Sequence, residues 1–120
     1  MARATISPQI VKGPYPGPVA AGDLHFTFTA ADVPNKNQFK STGRELLVVK
    51  NSHGANPYTL SVTSVEDSFH RTGDITAYSL AAGEHAVFNF RDTAGWMQAD
   101  GYIYFEGSNA AVLFAVLQFP

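Results

Sequence analysis

The sequence predicts an all-β domain: an antiparallel β-sandwich of jelly-roll or immunoglobulin-like topology, with seven to eight strands and an extended Pro-rich N-terminal arm. LHFTFTA (24–30) and YTLSVTS (58–64) alternate apolar and polar residues strictly, which is the period of a strand with one buried face. ELLVVKN (45–51) and VLFAVLQF (112–119) are continuous apolar runs, rich in β-formers and too short for helices, as expected of central strands covered on both faces. Between them Gly, Pro, Asn and Asp supply the punctuation in DVPNKN, KNSHGANP, TGD, AAGE, DTAG, ADG and EGSN. No apolar stripe at i, i+3, i+4, i+7 is long enough for a substantial helix.

The 120 residues suit one domain, divided into an arm over 1–22 and a sandwich over 23–120. ISPQIVKGPYPGPVAAGD holds four of the seven prolines, and KGPYPGPV lacks ladder donors, so the arm is expected to be extended or polyproline-like. It either lies across its own sandwich or reaches a neighbouring subunit, a role that costs a stiff segment little conformational entropy. Tyr15 and Pro16 within it are candidate partner contacts.

The first strand expected after the arm is LHFTFTA, with Leu24, Phe26, Phe28 and Ala30 inward and His25, Thr27 and Thr29 outward. ELLVVKN follows, then YTLSVTS with Tyr58, Leu60 and Val62 inward. A weaker strand spans Ile75 to Leu80, and HAVFNF (85–90) sets Ala86, Phe88 and Phe90 against His85, Val87 and Asn89. One helical turn is expected near Asp92 to Gln98, followed by YIYFEG (102–107) and VLFAVLQF. TGRELLVV and AAGEHAVF share a Gly-acid-apolar pattern, read as two strands entered through similar turns.

Hydrophobic residues make up 45% and charged residues 15%, below the roughly 25% charge of ordinary soluble domains. Ser, Thr, Asn and Gln must therefore cover much of the surface, which tolerates protein contact better than a heavily charged one. Net charge is −2 and the eight Lys and Arg are scattered, so neither nucleic acid nor an anionic membrane is an expected partner. With no Cys, a disulfide framework, a thiolate metal site and a Cys nucleophile are excluded. MARATISPQIVKG has no apolar run and does not read as a signal peptide, which fits a cytosolic product or one released by lysis.

RTGDITAYSLAAGEHAVFNF (71–90) gathers Arg71, Asp74, Glu84 and His85, the residue types of an active site. Asp74 follows Gly73 and Glu84 follows Gly83, so both acids fall at strand entrances, where turns favour them. The segment is read as a β-hairpin with Arg71 and Asp74 clamping one turn. His25, His53, His70 and His85 lie on separate segments without H-x-H or H-x-x-x-H spacing. DVPNKN lacks the spacing and the bidentate Glu of an EF-hand, and there is no G-x-S-x-G. The expectation is a non-enzyme with no catalytic residue, no metal ligand and no cofactor. Trp96 and Met97, in the turn-rich DTAGWMQADG, either cap the sandwich end or anchor a partner or sugar.

The run TGRELLVVKNSHGANPYTLSVTSVEDSFHRTGDITAYSLAAGEHAVFNF, followed by GWMQADGYIYFEGSNAAVLFAVLQFP, resembles small proteins encoded among bacteriophage head genes. GRELLVVKN, RTGDITAYSLAAGE and the turn from Gly95 to Gly101 are the most specific pieces, and none is a catalytic signature. The resemblance implies a virion structural component, a capsid decoration protein with a compact β fold. It implies the major capsid protein as partner, a homotrimer or other homo-oligomer, and a place on the capsid surface after synthesis in the host cytoplasm. Other head or tail roles remain alternatives within that setting. A carbohydrate-binding module is the alternative outside it, with Trp96, Tyr102 and Tyr104 as stacking faces.

Overall fold

The computed structural model describes residues 2–11 and 25–120. Among the described residues ten strands form: β1 (Ala4–Thr5), β2 (Gln9–Ile10), β3 (Thr29–Ala30), β4 (Asn37–Lys40), β5 (Glu45–Asn51), β6 (Tyr58–Thr63), β7 (Ile75–Leu80), β8 (His85–Asn89), β9 (Tyr102–Gly107) and β10 (Val112–Gln118). One sheet has the order β1-β4-β9-β6-β7, the other β2-β10-β5-β8 with β3 also on β10. The two pack face to face as a sandwich. Every pairing is antiparallel except β1 with β4 and β2 with β10.

The core is built from inward positions of both sheets. Phe39, Leu60, Val62, Ile103 and Phe105 of the first sheet meet Leu47, Val49, Val112, Phe114 and Val116 of the second. Phe105 and Phe114 join the layers edge to face, with ring centroids 4.7 Å apart. Gly107 ends β9 where a Cβ would lie 2.9 Å from that of Ala31 and 3.1 Å from that of Val112. The missing side chain lets three backbones close together there.

From β4 onward the chain changes sheet at every connection except β6 to β7. Residues 71–90 are therefore not a β-hairpin: β7 pairs with β6 in the first sheet, and β8 pairs with β5 in the second. The cause is Asn51, buried at the end of β5. Its Nδ2 donates to the Leu80 carbonyl at 2.9 Å, and its backbone exchanges bonds with Gly83 and Glu84. The turn after β7 is thus caught by the opposite sheet.

LHFTFTA differs as well. Only Thr29–Ala30 pairs as strand, and Phe26, expected inward, is 41% exposed and packs edge-on against Phe28. The Gln9 side chain bonds both the N–H and the C=O of Thr27, at 3.0 and 2.8 Å, in place of a neighbouring strand. Leu24 lies outside the described residues. NQFK, where the sequence predicts no strand and only Asn37 falls in the DVPNKN turn, forms β4 and supplies Phe39 to the core. At the N-terminus, β1 joins one sheet and β2 the other, with Ile6 buried between them, so residues 2–11 run across the side of the sandwich. Tyr15 and Pro16 lie outside the described residues.

Candidate functional site

The polar residue types singled out in the sequence fall into separate local clusters. Asp67 closes a loop between β6 and β7: its Oδ1 accepts from the backbone N–H of Phe69 and Arg71, and its Oδ2 accepts from the Arg71 guanidinium at 2.8 Å. The Arg71 backbone bond, then its side-chain bond, hold the Asp67 carboxyl below its ordinary 3.8. Arg71 therefore clamps Asp67 and not Asp74. His70, at φ 58°, turns the loop so that Arg71 faces back toward Asp67. Asp74 instead accepts from the Ser64 hydroxyl at 2.7 Å and the Ser64 N–H at 2.8 Å, which likewise lower its pKa.

Beside these loops Ser64, Asp67, Arg71, Thr72 and Trp96 border an open recess of about 250 Å³. Trp96 is set by one turn, in which its N–H and that of Met97 both donate to the Thr93 carbonyl at 3.1 Å. The helical turn expected here is instead a non-helical turn, with Gly95 at φ 84°. The indole meets Phe90 edge to face at 5.6 Å and packs on the core, so Trp96 caps this end of the sandwich. Met97 beside it is 40% exposed.

On the outer face of the first sheet, Tyr102 and Tyr104 lie side by side under cations. Lys40 Nζ sits 5.2 Å from the Tyr102 ring centre, and the Arg3 guanidinium 4.3 Å from that of Tyr104. The Tyr104 hydroxyl donates to Asp100, which raises the tyrosine pKa above 10.0 and lowers that of the aspartate. Each ring thus carries a cation over one of its faces.

The histidines do not converge. His53 Nδ1 accepts from the N–H groups of Ala55 and Asn56, His70 contacts Glu66 at 3.1 Å, and His25 and His85 are exposed. Asp32, in the DVPNKN turn, bonds the backbone and side chain of Asn35. Among the described residues no group of three or more His, Cys, Asp or Glu is placed to hold a metal ion.

Glu45 and Glu84 play matching parts, as the shared Gly-acid pattern predicts. Glu45 accepts from the Thr42 N–H and hydroxyl, and Glu84 from the Ala81 N–H at 2.7 Å. Each carboxylate reaches back three residues to close the turn that opens its strand. The burial of several polar residues escaped the reading of the sequence: Asn37, Ser41, Glu45 and Asn51 are buried, Glu45 and Asn51 fully so in β5. The signal for those two was the polar ends of an otherwise apolar run, ELLVVKN, where each anchors a turn.

The remaining surface feature is apolar. Along the outer face of the second sheet the register aligns Leu117, Leu46 and Asn89, then Ala115, Val48 and Val87, then Leu113, Lys50 and His85. Val87 is 60% exposed at its margin. Comparison with protein-family models, curated proteins and solved structures finds no match to this chain.

Proposed function

We propose that the chain is a non-enzymatic bacteriophage virion structural protein, a capsid decoration or stabilisation protein that binds the outer lattice against the major capsid protein. The resemblance carried by GRELLVVKN and RTGDITAYSLAAGE suggests the virion setting. The observation that carries the adhesive reading is a contrast of surfaces. Asp67, Asp74, Glu84 and Glu45 are each engaged by groups of their own loops, whereas the second sheet points half-buried Leu46, Leu113 and Leu117 and exposed Val87 outward. Such a surface works by burying area. Many copies on a lattice turn a modest contact into firm attachment through effective concentration.

Co-sedimentation with expanded, undecorated capsids is the test. Binding at defined lattice positions, saturating at a fixed ratio to the major capsid protein, is the expected result. Protein left in the supernatant at every ratio contradicts the reading.

A further inference from the structure

A sandwich has four long margins, and exposed strand edges invite pairing unless they are short, kinked, charged or interrupted by proline. At one side the margins are β1 and β2, each two residues long. At the other side they are β7 and β8. β7 is kinked by Ala77 at φ 52° and by a register shift against β6 between Leu60 and Val62. β8 has none of these protections. HAVFN carries no proline and no Lys, Arg, Asp or Glu, pairs with β5 in unbroken register, and leaves Val87 60% exposed.

Its backbone faces outward at three residues. Phe90 N–H donates to the Glu45 carbonyl and Asn51 N–H to the Glu84 carbonyl, which sets the phase of the ladder. By the antiparallel alternation, Ala86 and Phe88 bond β5, and the N–H and C=O groups of His85, Val87 and Asn89 point to the open edge. Among the described residues none of these groups meets a backbone partner.

We infer that β8 pairs antiparallel with β8 of a second copy of this chain, about a two-fold axis through Val87. The strand is self-complementary in that register. Val87 meets Val87, His85 meets Asn89, and the small Ala86 lies across from Phe88, whose half-buried ring would be covered together with Tyr78, 46% exposed and 5.4 Å from it. The ladder suits the antiparallel direction, since all three residues that face the open edge then find partners: Val87 exchanges both backbone bonds with Val87, and His85 does so with Asn89. The result is one sheet continuous through both copies. This pairing does not rest on the capsid reading, because self-association is measured without capsids.

The chain has no cysteine, so a single introduced thiol can form a disulfide only between copies. In the paired arrangement the two Val87 Cα atoms stand roughly 5.5 Å apart, inside the span a disulfide bridges. Val87→Cys is expected to cross-link under mild oxidation about tenfold faster than Ser79→Cys on the exposed face of β7. Sedimentation velocity of the unaltered chain should show a concentration-dependent dimer. Val87→Lys, which sets two ammonium groups at the axis, should weaken it about tenfold or more while leaving unchanged the thermal melt at concentrations where the chain is monomeric. A chain that stays monomeric to about 1 mM overturns the inference. So do equal cross-linking rates, or an oligomer that Val87→Lys leaves intact.

Discussion

Gln38, Lys40, Ser61, Thr63, Tyr102, Tyr104 and Glu106 occupy the outward positions of the first sheet, whereas Leu46, Val48, Lys50, Leu113, Ala115 and Leu117 occupy those of the second. The inward positions of the two sheets are alike, mostly Phe, Leu, Ile and Val, with buried polar residues only at strand ends: Asn37 in the first sheet, Glu45 and Asn51 in the second. The sheets therefore share one core but meet their surroundings differently. The first is finished as a solvated surface, with cations over its tyrosine rings. The second is largely apolar on both faces, with Ala115 fully buried and Val48 at 9% exposure although both side chains point away from the core. The β8 margin of that sheet, unpaired among the described residues, is also the least protected edge.

The comparison holds only if the inner faces are equivalent. Phe105→Ala and Phe114→Ala remove the two halves of one edge-to-face contact from opposite sheets, and both residues are fully buried. Each should cost about 3–5 kcal/mol by denaturant unfolding, since each loses transfer energy and leaves a cavity. A large inequality between them would show that one sheet dominates the core. The next largest effect is expected where the sheets are tied together. Asn51→Ala would leave the Leu80 and Asn56 carbonyls without their donor, at a cost of about 2–3 kcal/mol.

The outer faces are compared by an isosteric exchange. Val48→Thr puts a hydroxyl where little water reaches, and should cost about 1–2 kcal/mol in urea melts. Thr63→Val reverses the change on the half-exposed face of the first sheet and should stay within about 0.5 kcal/mol. Equal effects would mean that the two outer faces are environmentally the same.

Much of this difference was legible in the sequence. YTLSVT alternates because β6 has one wet face, and ELLVVKN does not because β5 is apolar on both. Those patterns are local, so they survive without knowledge of strand order. What could not be read depends on distant partners. The hairpin inferred for 71–90 fails because Asn51, twenty positions before Arg71, draws the turn into the opposite sheet. LHFTFTA has the right period, but β10 shares that edge between β2 and β3, and Gln9 takes the place of a strand beside Thr27. For the charged residues, the turn positions of Asp74 and Glu84 were evident from the preceding glycines. That Asp67, and not Asp74, takes Arg71 follows from the left-handed His70, a conformation that a His does not advertise.

The finest contrast lies in the tyrosines of the first sheet. Tyr104 donates to Asp100, and Tyr102 beside it makes no such bond among the described residues. The bond favours a protonated phenol next to an ionised carboxylate, so it raises one pKa and lowers the other. For Asp100, with its folded pKa depressed, the stabilisation is present above about 3.8 and is lost as pH falls through the folded value. For Tyr104, with its folded pKa raised, it is present below about 10.0 and is lost as pH rises through the folded value. The contact thus operates between those limits, and its exposure keeps the effect on stability small. Ultraviolet titration at alkaline pH should show one phenol ionising above the ordinary range, and Asp100→Asn should return it there. If the delayed phenol persists in Asp100→Asn but disappears in Tyr102→Phe, the assignment is wrong.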